Sequence, residues 1–435
     1  MVSKAIDFLL ENAGPVIQYR LHKEILKDIN QTQEENLLEQ IYQLPFFVIL
    51  QRYVKPDGYI GSGMHSWNNW RGEILHETPL QDGETAARLL SYYAIPKTHP
   101  IVAGFVRAMR DEDILRQEFS YIPPEVTRFE NRMAGLHNGN SLMALIYTMQ
   151  AMLGFGDDFE DLKKFQEISL KGFRRALEVA SLEDLTKFNT KTKRKYNYPY
   201  IEADEYYPDA YTLAMLAYTK SWRTKENREL LGAALNHINA VMKPDNNMHV
   251  RINGKFVAPC FALVRPIRPF RTDVIESMLY RRVLTEIAML GVGHTVGVIH
   301  ESAANVEEAL DKEGILRLDF SVPHNKRYSP RKIDYPTPYA DVRLEADYKS
   351  ETAFLCDLTF WAVQFLHLLN KEDNWWTLAQ IMGVLEVQYG RKIIFMRYSN
   401  RESGGYDASC GGNLEYGGCD CSGGYPQQYQ TAEPF

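Results

Sequence analysis

The sequence predicts an all-α protein carrying one small β-hairpin and a Gly/Cys-rich tail. Three observations lead there. Apolar residues recur at helical spacing through most of residues 1–390, in stretches separated by short Gly- and Pro-bearing breaks. One stretch, Asn247 to Pro259, instead alternates apolar and polar residues around Asn253-Gly254, the strongest short-range hairpin signal. From Ser403 the chain reads SGGYDASCGGNLEYGGCDCSGGYPQQYQTAEPF, rich in Gly and poor in Leu, Ile and Val.

The elements follow in order. Ser3 to Glu11 is a first helix, broken by Gly14-Pro15. Val16 to Asp28 is the second, with Val16, Tyr19, Leu21, Ile25 and Leu26 near helical spacing. Glu35 to Gln43 is the third. An apolar helical segment then ends in Pro56-Asp57-Gly58-Tyr59-Ile60-Gly61, a Trp-bearing loop follows, and Glu84 to Tyr93 is amphipathic. A Pro/His linker, Ile95 to Pro100, leads into another helix. Asn138 to Leu153 is strongly apolar and ends at Gly154-Phe155-Gly156, a C-cap and turn. Leu162 to Ala180 is followed by a polar, basic, Tyr-rich loop, Lys187 to Tyr200. Tyr211 to Tyr218 and Glu226 to Met242 form a pair, and after the hairpin come Asp273 to Leu290, Ala303 to Lys312, Thr352 to Leu369 and Trp375 to Gln388.

The helix–DGY-G–helix unit around Asp57-Gly58-Tyr59 and Gly61 resembles those of the prenyltransferase and squalene-cyclase superfamily. Ala13 to Arg20 (AGPVIQYR) is similar to the start of many bacterial toroid proteins, and Gly314 to Asp319 resembles the short extended strip between helices in toroid repeats. The resemblance implies an α/α toroid, a barrel of paired helices, over residues 1–400, with the hairpin as an insertion on one rim and residues 401–435 as a tail. Spaced helix pairs without strict repeat identity fit a closed toroid better than an open solenoid, which needs capping repeats. An open α-solenoid is the alternative architecture.

Composition narrows the function classes. A net charge of -7 argues against a nucleic-acid-binding surface as the main function. Met1 to Leu10 lacks the features of a signal peptide. There is no uninterrupted run of 18 apolar residues, so no integral membrane segment is expected and the expected location is the cytoplasm. Five unevenly placed cysteines (Cys260, Cys356, Cys410, Cys419 and Cys421) do not form a disulfide framework. The tail holds three of them and cannot bury enough apolar area to offset its ordering entropy. It is either a flexible appendage or a functional arm, such as a peptide substrate fused to its own modifying enzyme.

The sharpest candidate for chemistry is Glu202-Ala203-Asp204-Glu205, followed by Tyr206, Tyr207, Pro208 and Asp209. Four carboxylates this close repel one another, and burial together raises at least one pKa and keeps a proton available for general acid catalysis. The order is similar to the D-x-D-D element of cyclases that protonate an isoprenoid double bond. That resemblance implies Asp204 as the acid, with Glu202 and Glu205 supporting it. Two of the three positions are Glu here, the usual following Thr is Tyr206, and the repeated Q-W elements are absent. The bland alternative is a solvated loop with Asp209 set favourably at a helix start. Trp67, Trp70 and His76 after the DGY unit, with His137 and Tyr207, are candidates to line a cavity. Asp341, Glu345, Asp347 and Glu351 form a second acidic set. Cys356 and His367 lie about 16 Å apart along one helix axis, too far to share a metal directly. A zinc prenyltransferase is thereby disfavoured, and Cys356 reads as a core thiol. No metal site and no cofactor can be named.

The expected function is an enzyme with a central, aromatic-lined cavity, which by the resemblance acts on an isoprenoid-like or other apolar substrate by acid catalysis. A carbohydrate-active hydrolase or lyase using the two acidic sets is one alternative. The other is a non-catalytic scaffold that binds a peptide, including its own tail. Phe, Tyr and Leu in the interior favour the first, facing carboxylates the second, and the absence of a polar cluster the third.

Overall fold

The computed structural model describes residues 1–63, 82–118, 142–188, 199–202, 205–243, 249–252, 255–257, 262–273, 277–319, 343–347 and 349–370. All of these fall in a unit spanning Met1–Thr377; Leu378–Phe435 is a second unit. The expected helix from Trp375 to Gln388, the expected boundary at residue 400 and the tail lie outside the described residues.

Among the described residues are fourteen α-helices: α1 (Val2–Asn12), α2 (Pro15–Arg20), α3 (Gln31–Tyr42), α4 (Pro45–Arg52), α5 (Gly83–Tyr92), α6 (Pro100–Met109), α7 (Glu112–Glu118), α8 (Leu142–Gln150), α9 (Glu160–Leu177), α10 (Ala210–Ala217), α11 (Lys225–Val241), α12 (Ser277–Met289), α13 (Gly297–Ala309) and α14 (Glu351–Asn370). The all-α expectation holds. Two helices widen into π turns, α2 over Leu21–Leu26 and α8 over Ala151–Phe155, the latter ending where Gly154 adopts φ 89°.

Burial separates the helices into two kinds. In α5 every residue from Gly83 to Leu90 is buried, and in α10 every residue from Tyr211 to Ala217. Helices buried all round are interior helices. By contrast, α9 buries Leu162, Phe165, Gln166, Ser169, Leu170, Gly172, Phe173 and Ala176, the one-sided stripe of a surface helix. From α8 to α14 the two kinds alternate along the chain. The helices α14, α12, α10, α8 and α5 each contact the next, and α14 also contacts α2. Arg20, the last residue of α2, then donates to the carbonyl of Tyr92, the last residue of α5, at 3.2 Å. The helices α1, α9 and α13 pack outside α14, α10 and α12.

Two turns repeat the same local structure. Val54 bridges Ile60 and Leu310 bridges Leu316. Each closes with a residue accepting from Gly58 or Gly314 at φ 92° and 81°. A Cβ on Gly58 would lie 2.8 Å from the Gly104 carbonyl of α6, and one on Gly314 2.4 Å from the Ala5 nitrogen of α1. Glycine is required twice over, for the left-handed backbone and for the close approach. The turn at 310–316 also ends α13 three residues before the expected Lys312, and α13 begins six residues before the expected Ala303.

Four short strands form one sheet in the order β1 (Lys187–Phe188), β2 (Pro199–Glu202), β3 (His249–Ile252), β4 (Lys255–Val257). The expected hairpin is β3–β4, antiparallel with Ile252 opposite Lys255 across Asn253-Gly254. It is not isolated: β2 runs parallel to β3, with Ile201 opposite Val250, and β1 runs antiparallel to β2. The expectation of a loop over Lys187 to Tyr200 is therefore corrected at both ends.

Among the described residues one helix, α14, is long and apolar enough by length and composition to cross a membrane. It escaped the uninterrupted-run criterion because Glu351 and Asp357 interrupt it. Its buried face, Cys356 to Val363 with Phe365 and Leu366, packs on α1, α2 and α12, the placement of a core helix. Cys356 is a buried free thiol, as expected of a core residue.

Gly314→Ala is expected to lower unfolding free energy by more than about 2 kcal/mol, combining left-handed strain with a backbone collision. Urea denaturation checks it, with the exposed Glu160→Ala as the reference expected to change little.

Candidate functional site

The acidic segment after β2 is taken apart by its surroundings. Glu202 pairs with Arg251, its partner across the parallel strands. Glu205 pairs with Arg175 of α9 at 3.2 Å and with Lys187 of β1 at 3.4 Å. Lys171 lies 3.9 Å over the Tyr206 ring, and the buried Tyr207 hydroxyl donates to the Leu263 carbonyl at 3.2 Å. The mutual repulsion anticipated for these carboxylates is answered by Arg251, Arg175 and Lys187, one acid at a time.

Asp209 has a different fate. It caps α10, with Oδ1 accepting from the Tyr211 and Thr212 amides at 3.0 and 2.7 Å and the Thr212 hydroxyl receiving its own amide at 2.8 Å. This capping box is ordinary helix chemistry. The rest is not ordinary: the residue is fully buried and Oδ2 has no hydrogen-bond partner. Burial pushes its carboxyl up to about 7, against the pull of the capping hydrogen bonds. The cause is desolvation rather than crowding by neighbouring acids.

From Asp209 the site continues inward. The Tyr211 hydroxyl, two residues along, donates to Glu84 Oε2 at 3.4 Å. Glu84 is the second residue of α5, as Tyr211 is of α10. Glu84 pairs with Arg88 at 2.8 Å, and their side chains are 2% and 0% exposed. On α12, Arg282 pairs with Glu286 at 2.9 Å, at 4% and 1% exposed. The two pairs feel each other: Arg282 responds to Arg88 and Glu84, and Arg88 to Glu286. Burial opposes the charge on both arginines, yet the glutamates and Tyr92 outweigh it and hold both guanidiniums above their usual pKa. Arg20 closes the cluster from α2, bonded to Glu24 through two nitrogens at 3.0 Å. Tyr218, at the end of α10, is driven well above the usual tyrosine range by burial and then by Tyr92 and Glu286. It is a neutral hydroxyl, able to donate but not to act as a phenolate.

Removing two ion pairs from water costs several kcal/mol per ion before mutual attraction repays it, and apolar residues of the same volume often stabilise a fold more. A neutral set of four buried charges on two interior helices is thus poor economy for stability alone. Such perturbed, desolvated clusters concentrate at functional sites. The sequence did carry a signal. Glu84 and Arg88, and Arg282 and Glu286, are Glu/Arg pairs at i,i+4 inside two of the expected helices.

The second acidic set also divides. Glu345 is buried, and its Oε1 accepts from the Gly14 amide at 2.8 Å. Burial pushes its carboxyl to about 7, opposed by that amide and assisted by Asp357. Asp347 pairs with Lys349 at 3.1 Å, and Glu351 opens α14 well exposed. Asp204, Trp67, Trp70, His76, His137 and Asp341 lie outside the described residues. Among the described residues no group of His, Cys, Asp and Glu could hold a metal ion. Two surface clefts, of about 440 Å³ beside Arg107, Phe155 and Phe159 and about 730 Å³ beside Gln18 and Asn36, do not touch the charged cluster.

No family model, no curated protein and no solved structure matches the chain.

Asp209 and Glu345 act on stability in the same direction. Each binds a proton more tightly folded than unfolded, so between about pH 4 and 7 the folded state carries more protons and stability falls as pH rises. The loss is complete above about pH 7 and amounts to at most about 4 kcal/mol for Asp209. Asp209→Asn keeps a good cap and removes the titration. Its melting temperature is expected to vary less between pH 4.5 and 8 than that of the wild type, in a calorimetric pH series. Arg88→Met, which strands Glu84, is expected to cost about 3–5 kcal/mol.

Proposed function

We propose that Met1–Thr377 is a closed α/α toroid whose interior is a polar acid–base centre, and that the protein is a carbohydrate-active hydrolase or lyase. The toroid reading is supported by the alternation of fully buried and one-sided helices. It is supported also by the chain of contacts from α14 through α12, α10, α8 and α5, with α2 touching both ends. The observation that carries the functional reading is the pair of buried ion pairs, Glu84–Arg88 and Arg282–Glu286, on two interior helices. A cavity for an isoprenoid chain needs Phe, Tyr and Leu at such positions; guanidiniums and carboxylates suit a substrate that hydrogen-bonds.

Within this reading the residues divide the work. Asp209 is the general acid, because its carboxyl holds a proton near pH 7 and its Oδ2 is uncommitted. Glu84 is the second carboxylate, paired with Arg88 and linked to the Asp209 segment through Tyr211. Glycosidic cleavage divides its work between an acid and a second carboxylate. Arg88 and Arg282 fix the charge frame and neither gains nor loses a proton.

The test is a screen of full-length protein against aryl glycosides and uronate-containing polysaccharides, with farnesyl diphosphate as the competing substrate. Turnover of a carbohydrate is expected, falling as pH rises through about 7. Asp209→Asn, which keeps the cap, is expected to lower the rate about 10²–10⁴-fold with the fold intact by circular dichroism. Turnover of the diphosphate alone, or carbohydrate turnover untouched by Asp209→Asn, overturns the proposal.

A further inference from the structure

Two atoms of the charged cluster lack a hydrogen-bond partner. Nη1 of Arg282 and Oε2 of Glu286 are both buried and both unsatisfied, at opposite ends of one ion pair. The first is a donor and the second an acceptor, since the pair is ionised. Buried charged groups are rarely left this way, because each has given up water without replacement.

The chemistry of the missing partner is constrained from both sides. A phosphate or carboxylate would satisfy Arg282 and be repelled by Glu286. A metal ion or ammonium would satisfy Glu286 and be repelled by Arg282. The partner must accept from a guanidinium and donate to a carboxylate while carrying no charge. A hydroxyl does both. Two hydroxyls on adjacent carbons place one group for each atom.

We propose that Arg282 and Glu286 form a hydroxyl-recognition subsite that binds the vicinal diol of a sugar ring or other polyol. This rests on the carbohydrate reading and narrows it: the subsite takes a neutral diol edge, so selectivity is set by hydroxyl configuration rather than by substrate charge. Arg282 and Glu286 are binding residues here, and Asp209 is not needed for their contact.

Saturation-transfer NMR on the full-length protein tests it. The probes are the methyl glycosides of glucose, galactose, mannose and xylose, with erythritol and glycerol, and with 2-propanol as the monohydroxyl control. At least one diol probe is expected to show transfer that 2-propanol does not. Its affinity is expected to fall about 10- to 100-fold in Arg282→Lys and in Glu286→Asp, and to persist in Asp209→Asn. If Arg282→Lys does not fold, Glu286→Asp, which keeps the charge opposite Arg282 and shortens its reach, decides alone. No transfer from any diol probe means that water alone fills the position, and the proposal falls. Transfer undiminished in the folded variants also overturns it. Diol binding by the wild type without turnover of any glycoside upholds the subsite and removes the catalytic reading, so the two fail separately.

Discussion

The interior of this protein depends on charge neutrality maintained without water. Arg88 and Arg282 sit among aliphatic side chains, and each is tolerable only because a glutamate one helical turn away carries the opposite charge. Those pairs fix more than themselves. Each sets the rotation of its helix, because turning α5 or α12 about its axis would bring a charge against an apolar neighbour. Tyr211 then ties α10 to α5 through Glu84, and Arg20 ties α2 to the end of α5. The register of four interior helices follows from where the charges must meet.

The same condition explains why the acids near α10 behave so differently. Glu202 and Glu205 lie where strand β3, β1 and α9 bring basic residues to them. Asp209 lies four residues beyond Glu205, and its carboxylate receives the Tyr211 and Thr212 amides instead. Amide dipoles hold a carboxylate well at a solvated helix end; sealed from water they do not suffice, and burial raises its pKa. Sequence neighbours thus take opposite surroundings from tertiary neighbours.

Much of the helix layout was legible in the amino-acid order because its causes are local. Pro15, Pro45 and Pro100 start helices, Gly154 ends one, and Asn253-Gly254 marks the hairpin. Gly314 to Asp319 read as a short extended strip between helices, and the structure shows that it closes a second copy of the turn at Gly58. The partnerships were not readable. That β2 joins the hairpin, that Arg251 meets Glu202, or that Glu345 receives the Gly14 amide depends on contacts between residues far apart in sequence. The pairs Glu84–Arg88 and Arg282–Glu286 stood in between. Each was visible as a helical pair, but only folding shows that both pairs are buried and feel each other's charge. The acidic run around Asp204 drew attention because its charge density is conspicuous, whereas the interior charges are dilute in sequence and concentrated only by folding.

The docking of α1 bears on how the chain folds. Lys4 donates to the Lys312 carbonyl, Gly314 lies against Ala5, and α1 packs along α14. Segments more than 300 residues apart in sequence must therefore find each other before either is covered. Closing so long a loop costs chain entropy that no local helix pairing repays, and such distant contacts form slowly. Until α14 docks, Ala5 and Leu9 lack the helix that α1 packs along. The seam between α1 and α14 is thus a natural place for the fold to open first.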